Sequence, residues 1–120
     1  MADRMLFVSW GATVRGREER ALEVFNETMG LYGRLQQEGK IEGFDVVLCA
    51  PNATLDGYIQ LRGTARQLAD LKEEAEYQRL QVTASLCTDQ LSVIDAACNE
   101  GVAEQVEIFA QAVAKVPQMA

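Results

Sequence analysis

Histidine is absent from the 120-residue sequence, and cysteine is scarce. Without an imidazole, the chain has no Ser-His-Asp or Cys-His catalytic arrangement and no histidine ligand for haem or non-haem iron. The three cysteines, Cys49, Cys87 and Cys98, are odd in number and show no CxxC spacing, which argues against a disulfide framework or a zinc site. We therefore expect reduced, packed cysteines, no metal and no cofactor.

Long apolar runs and an excess of basic residues are also missing. No run approaches the roughly 20 residues that a membrane helix needs, and the start MADRMLFVSW lacks the long apolar core of a signal peptide. The 11 basic residues are outnumbered by 18 acidic ones, and they are scattered along the chain, whereas a nucleic-acid partner would require clustered Lys and Arg. These absences predict a cytoplasmic protein that binds neither a membrane nor a nucleic acid.

Proline is rare too, and one of the two prolines marks a turn. Residues 44–62, FDVVLCAPNATLDGYIQLR, predict two strands joined around Pro51. Pairing residues whose numbers sum to about 107 puts Asp45 opposite Arg62 and gives one wholly apolar face. That face carries Phe44, Val46, Leu48, Ile59 and Leu61. The other face carries Asp45, Val47, Cys49, Tyr58, Gln60 and Arg62.

The patterns before the hairpin predict a strand and then a long helix. Residues 5–10, MLFVSW, form a short apolar run that is typical of a buried strand. Apolar residues at three- and four-residue intervals then predict a helix that ends at Gly39. Its buried stripe is expected to comprise Ala21, Leu22, Phe25, Thr28, Met29, Tyr32 and Leu35.

After the hairpin, the patterns predict a second helix. Thr64 and Gln67 have the spacing of a capping box, so this helix is expected to begin there and to continue to about Thr88. Its apolar stripe jumps five residues between Ala75 and Leu80, which predicts a break near 76–77.

A strand and a last helix complete the chain. Residues 91–98, LSVIDAAC, predict the strand. The last helix is expected over 102–116, and Pro117 ends it. Its inward-facing residues are expected to be Val106, Phe109 (or Ile108), Ala110 and Val113.

The order of these elements indicates an α+β fold. A β-α-β-β-α-β order is the ferredoxin-like arrangement, here with an extra C-terminal helix. Right-handed crossovers put the first and third strands at the centre of a four-stranded antiparallel sheet, with both main helices on one face. We expect one domain spanning residues 1–120, with the second sheet face uncovered in a monomer.

The chain resembles the dimeric α/β-barrel superfamily, in which two ferredoxin-like subunits pack sheet against sheet. The features that carry the resemblance are the short first strand MLFVSW, the glycine-flanked hairpin and the helix 64–88 that leads straight into strand 91–98. The resemblance implies a homodimer, and the expected interface residues are Asp45, Val47, Cys49 and Gln60. Several members bind haem through histidine or use histidine in catalysis, and this chain lacks that residue.

Five residues are candidates for a ligand site, each with a structural alternative. They are Trp10, Tyr32, Tyr58, Arg62 and Asp95. Aromatic side chains at these spacings more often belong to the core or to an interface than to a ligand site. Arg62 could hold a ligand or only pair with Asp45 across the strands. Asp95 could be a buried acid or base, or a hydrated carboxylate on an edge strand.

Two functions follow from these candidates. One is a homodimeric protein that binds a small apolar ligand and has no assigned reaction. The alternative is a cofactor-independent monooxygenase or isomerase acting on a small aromatic or polyketide-like substrate. An open cavity of several hundred cubic ångströms ringed by the candidate residues would favour the enzyme, whereas a filled space would argue against it.

Overall fold

The computed structural model describes residues 2–119 and contains four strands and four helices. The elements are β1 (Arg4–Trp10), α1 (Glu18–Gln37), β2 (Gly43–Leu48), β3 (Gly57–Gly63), α2 (Ala65–Glu73), α3 (Ala75–Cys87), β4 (Ser92–Ala97) and α4 (Glu100–Val113). The strands form one antiparallel sheet in the order β2-β3-β1-β4. The predicted α+β ferredoxin-like arrangement, with β1 and β3 at the centre, is confirmed.

The sheet has one buried face and one open face. Along β3, buried and partly exposed residues alternate strictly. Ile59 and Leu61 lie under the helices. The side chains on the other face are those of Tyr58, Gln60 and Arg62. In β1, Leu6 and Val8 are buried in the same way. The helices complete this core with six buried side chains. They are Leu31, Tyr32 and Leu35 of α1, Leu71 of α2, and Tyr77 and Leu80 of α3.

The predicted register of the hairpin is wrong by two residues. Asp45 pairs with Gln60 and Val46 pairs with Ile59, and Gly43 lies opposite Arg62. The connecting loop explains the shift, because the Asn52 side chain accepts hydrogen bonds from the backbone N–H groups of Thr54 and Leu55 and so fixes a tight turn inside it. A slip by two residues keeps every side chain on its own face, so the predicted division into two faces holds.

Local signals account for the helix ends. Gly39, at a φ of 72°, ends α1, with its N–H bonded to Gln36 O and the next N–H bonded to Leu35 O. Thr64 Oγ1 accepts from Gln67 N at 3.1 Å while the Gln67 side chain accepts from Thr64 N, so the predicted capping box begins α2.

The break in the second predicted helix comes earlier than expected. Glu74 adopts an extended conformation (ψ 125°) and separates α2 from α3, whereas the sequence predicts the break near 76–77. The five-residue gap in the apolar stripe arises because α3 is a separate helix whose buried side does not continue that of α2. The buried side of α3 consists of Tyr77, Leu80 and Cys87.

The last helix differs most from its prediction. Val106, Phe109 and Val113 are expected to face inward, yet all three are exposed, Phe109 by 69%. α4 is fixed at its first turn, where Gly101 is buried against the Asp3 carbonyl, and it packs against β4. The rest of the helix extends outward, and the Cα radius of gyration of 17.0 Å exceeds the value of about 14 Å for a compact chain of this length.

Candidate ligand-binding cavity

A cavity of about 340 Å³ lies between the sheet and the helices α1 and α3. The apolar part of its wall includes Val8, Val24, Phe25, Ile59, Ala84 and Leu91. Leu22, predicted to be buried, is 61% exposed and lines this space instead of filling it. The volume lies in the range of small-molecule sites, so one compact apolar molecule fits here.

Trp10 forms one end of the cavity wall. It stands at the end of β1, and its ring meets Phe25 of α1 edge-on at a centroid distance of 6.3 Å. Gly57 lies beside it, and a Cβ there would come within 2.8 Å of Trp10 Cζ2 and 2.7 Å of the Val47 carbonyl oxygen. The glycine is therefore required for the indole to lie against β3.

Two chain segments join the elements at this end of the cavity. Two backbone hydrogen bonds, each 2.8 Å long, join the loop after β1 to the end of α3 and to the segment that follows α3. Val14 N donates to Cys87 O, and Gly11 N donates to Asp89 O. Thr13 and Thr88 also line the cavity and form a bridge between these segments. The backbone thus fixes the position of this end of the site.

The deeper wall carries polar groups. Thr28 and Tyr32 lie one helical turn apart on α1, and Gln81 lies opposite on α3. Gln81 Nε2 donates to Tyr32 Oη at 3.5 Å, the long limit for a hydrogen bond. Within residues 2–119, Gln81 Oε1 is buried without a hydrogen-bond partner. The cavity therefore combines an apolar space with a small polar wall.

Burial controls the ionisation of the polar wall. Desolvation raises the pKa of the Tyr32 hydroxyl far above its usual value, nearby Tyr77 raises it further, and the hydrogen bond from Gln81 opposes the change slightly. The phenol therefore stays neutral throughout the physiological range. Glu18, a charged residue that lines the cavity, lies at the start of α1 and accepts a hydrogen bond from Gly16 N at 2.8 Å.

The structure brings together two of the five predicted ligand residues. Trp10 and Tyr32 both line the cavity. Tyr58 and Arg62 lie on the opposite, open face of the sheet, where Tyr58 contacts Phe7 at a ring-centroid distance of 5.2 Å. Arg62 forms an ion pair with Asp45, reaching it diagonally because the two are not directly opposite. Neither side chain can contact a molecule in the cavity.

Asp95 lies apart from both groups. It is opposite Leu6 on β1, so it is on the helix-covered side of the sheet, but at the exposed edge strand β4. Its carboxylate forms an ion pair with Lys72 of α2, and 72% of the side chain is accessible. The carboxylate is therefore hydrated and ion-paired, and it is not buried.

The expected interface residues all belong to the open face or continue it. Asp45, Val47 and Gln60 project from it, and Cys49 follows on the same side just beyond the end of β2. Apolar side chains extend this surface across the sheet. They are Met5, Phe7, Val47, Tyr58 and Ile94.

Sequence patterns alone missed part of the polar wall. Gln81 falls between the apolar positions of α3, and an isolated glutamine in a helix gives no signal of its own. Thr28 and Tyr32 belong to the predicted α1 stripe, but nothing in their spacing indicates that a residue from α3 meets them. In the described part of the chain, no three Cys, Asp or Glu side chains are arranged to hold a metal ion. Nor does any helix between residues 2 and 119 have the length and apolarity to cross a bilayer.

Comparison with known proteins agrees with this architecture. No family model and no curated protein sequence matches the chain. Solved structures do: a dimeric protein of unknown function and ferredoxin-like fold from Bacteroides fragilis matches at a TM-score of 0.58 and 12% identity, over 79% of this chain and 96% of that one. The fold is ferredoxin-like.

Two further structures share this ferredoxin-like fold and have named activities. A "putative antibiotic biosynthesis monooxygenase" from Nitrosomonas europaea matches at a TM-score of 0.58 and 13% identity, over 82% of this chain and 92% of that one. Hydroxynitrile lyase from Passiflora edulis matches at a TM-score of 0.63 and 7% identity, over 83% of this chain and 97% of its own. Each match leaves about a fifth of this ferredoxin-like chain uncovered.

Proposed function

We propose that the protein is a homodimer in which each subunit binds a small apolar ligand between its sheet and helices. The observation that carries the proposal is the cavity of about 340 Å³, whose wall is mainly apolar. The cavity opens to solvent beside Leu22 and Leu48, which are 61% and 66% exposed. A ligand that occupies it would remove apolar side chains of the wall from water, which favours binding.

The dimer proposal rests on the open face of the sheet. Phe7, Tyr58 and Val47 form an apolar surface there, and contiguous exposed apolar surface usually marks an interface. A second copy packed on this face would cover it, with the Asp45–Arg62 ion pair at the side of the contact. The Bacteroides fragilis protein of the same fold is described as dimeric.

We propose that α4 adds to the same dimer. Its apolar stripe consists of Val102, Val106, Phe109 and Val113, spaced three and four residues apart and exposed. A 14-residue helix is only marginally stable in water without a packing partner. The opposite side carries Glu104 and Glu107, whereas helices that bind membrane surfaces carry Lys and Arg there. A second copy is therefore the better partner.

Identification of a co-purified ligand tests the proposed function. Purified protein is analysed by native mass spectrometry, followed by organic extraction and chromatography of the released molecule. We expect a bound small molecule in the parent protein and its loss in Ala84→Phe, which fills the cavity from α3. Ala112→Phe, on exposed α4, is the matched control and should retain the ligand. A parent protein that binds no apolar molecule, even when one is supplied, would contradict the proposal.

A second candidate function is a cofactor-independent monooxygenase or isomerase. The open cavity with Trp10 and Tyr32 in its wall favours it, as does the fold shared with the Nitrosomonas europaea and Passiflora edulis proteins. The other three candidates, Tyr58, Arg62 and Asp95, do not line the cavity, so simple binding remains the first proposal. In such an oxygenation the substrate itself would supply the electrons that reduce the second oxygen atom to water. Oxygen uptake in the presence of a reduced aromatic substrate, absent in Ala84→Phe, would favour this candidate over simple binding.

Two broader features belong to the same proposal. We take residues 1–120 to act as one domain, since α1 and α2 pack on a single sheet and α3 packs on both of these helices. We also take the protein to be cytoplasmic, because Cys49, Cys87 and Cys98 are free thiols. Fractionation of the source cells tests the location, and limited proteolysis tests the domain boundaries.

A further inference from the structure

We infer that the cavity selects an apolar ligand that carries a neutral hydroxyl group, held by Tyr32 and Gln81. The inference rests on the proposed ligand-binding function and adds the chemical class of the ligand. It starts from a buried polar atom that has no hydrogen-bond partner among residues 2–119.

That atom is the amide oxygen of Gln81. It is buried and accepts no hydrogen bond from the described residues, although its residue lines the cavity. An unpaired buried acceptor costs about 1–3 kcal/mol, so it needs a partner or an explanation. Exchanging the amide oxygen and nitrogen leaves a donor unpaired instead of an acceptor, so either orientation lacks a partner.

The Tyr32 hydroxyl supplies the complementary group. Its oxygen accepts from Gln81 Nε2, so this contact does not use the O–H hydrogen. Both groups are buried and lie in contact, so a ligand hydroxyl would enter by displacing the long 3.5 Å contact between Gln81 and Tyr32. It would then accept from Tyr32 O–H and donate to Gln81 Oε1. A hydrocarbon would satisfy neither group, and a carbonyl would satisfy only the donor.

Charged ligands fit this end of the cavity poorly. Neither Lys nor Arg is among the described residues that line it, so a carboxylate or phosphate would be buried without a counter-ion. Glu18 lies ten residues before Thr28 on α1, which is about 15 Å along a helix. Because burial also keeps the Tyr32 phenol neutral, the polar wall presents hydrogen bonds and no charge.

Thr28 extends the same wall. It is a buried polar residue of α1, one turn before Tyr32, and it lines the cavity. The remaining contacts of the ligand would be with apolar side chains such as Phe25 and Ile59. This arrangement suits a flat phenol or a similar alcohol whose hydroxyl enters first.

Equilibrium dialysis with naphthalene and 2-naphthol tests the inference, because the two probes differ by one hydroxyl. We expect 2-naphthol to bind about tenfold more tightly, the effect of roughly one net hydrogen bond. In Gln81→Met and Tyr32→Phe the advantage should fall to about twofold, while naphthalene binding stays within about twofold of the parent value. Gln37→Met makes the same chemical change on the exposed side of α1 and should preserve the advantage.

The outcomes separate the two proposals. If both probes bind equally to the parent protein, or if the advantage of 2-naphthol survives in both cavity variants, the inference is overturned while ligand binding stands. If neither probe binds, the proposed function fails and the inference fails with it. Circular dichroism of each variant excludes unfolding as the cause of a lost advantage.

Discussion

Tyr32 and Tyr77 illustrate how single residues respond to burial. Burial raises the pKa of Tyr77 to about 12, with the Asp95 carboxylate adding to the effect, and it raises the pKa of Tyr32 further still. In an unfolded chain both hydroxyls would titrate near a pKa of about 10. The folded state therefore holds these protons at a pH where the unfolded state has released them.

The expected consequence is a loss of stability in alkaline solution. Below about pH 10 both tyrosines are neutral in both states and their contribution is complete. As the pH rises from about 10 towards about 12, the unfolded state loses protons first, so the free energy of unfolding falls. Urea unfolding followed by circular dichroism between pH 8 and pH 11, at steps of about one unit, measures this decrease in the free energy of unfolding. The decrease should be smaller in Tyr77→Phe. An equal decrease in that variant would exclude Tyr77 as a source of the pH dependence.

Gly57 makes a second residue-scale prediction. A methyl group there would overlap the Val47 carbonyl oxygen and Trp10 Cζ2, so Gly57→Ala should lower the free energy of unfolding by about 1–3 kcal/mol. Gly30→Ala is the matched control, because a Cβ on that helical glycine meets nothing within 4 Å and should stabilise α1 by about 1 kcal/mol. Urea unfolding of the two variants should therefore move the midpoint in opposite directions. A Gly57→Ala midpoint equal to that of the parent would show that β3 can move away from the indole.

At the scale of elements, sequence patterns succeeded where local signals decide. The capping box at Thr64 and the terminating Gly39 fixed helix ends because their chemistry is contained in a few neighbouring residues. The hairpin faces were also predictable from the alternation of apolar residues. Its register was not, because a slip by two residues preserves the alternation and only the loop conformation distinguishes the two pairings.

α4 shows the opposite case. Its apolar periodicity correctly predicted a helix, but periodicity does not say which surface covers the stripe. An apolar stripe of this kind usually faces the chain's own core, but Phe109 is 69% exposed, so the prediction that it faces inward is wrong. The polar wall of the cavity was missed for a similar reason, because Tyr32 and Gln81 meet only through the packing of α1 on α3.

A charge on the α4 stripe should weaken the dimer. Val106→Glu and Phe109→Glu would place a carboxylate in the proposed contact, and each should raise the dimer dissociation constant at least about tenfold, as expected for an interface residue worth more than 1 kcal/mol. Gln111→Glu adds the same charge on the opposite side of α4 and is the matched control. Size-exclusion chromatography with light scattering over a dilution series measures all three. Dissociation constants of Val106→Glu and Phe109→Glu equal to that of the parent protein would show that α4 lies outside the interface.

At the scale of the whole molecule, the sheet separates two surfaces with different roles. One face packs on the helices and borders the cavity, and the other carries Phe7, Tyr58 and Val47 towards the proposed second copy. Residues that alternate along a single strand therefore serve different partners: Ile59 lines the cavity and Tyr58 lies on the open face. Ligand binding and assembly should respond independently to substitution.

Val47→Asp tests this separation. A carboxylate at this position on the open face should give a monomer or an insoluble chain, because it would be desolvated against a second apolar surface. Light scattering reports the mass, and Gln37→Glu on the exposed side of α1 is the control that adds a negative charge away from the proposed contact. A stable Val47→Asp dimer would count against assembly through the sheets. A soluble monomer should still bind 2-naphthol in dialysis, since Val47 does not line the cavity.

The position of Trp10 has a practical consequence. It is the chain's single tryptophan and it stands in the cavity wall, so almost all indole fluorescence comes from the binding site. An occupant would replace any solvent beside the ring, shifting the emission to shorter wavelength, and an aromatic occupant with suitable absorption would quench it. The protein thus carries its own optical reporter of occupancy, which allows a compound collection to be screened on the unlabelled, unmodified chain.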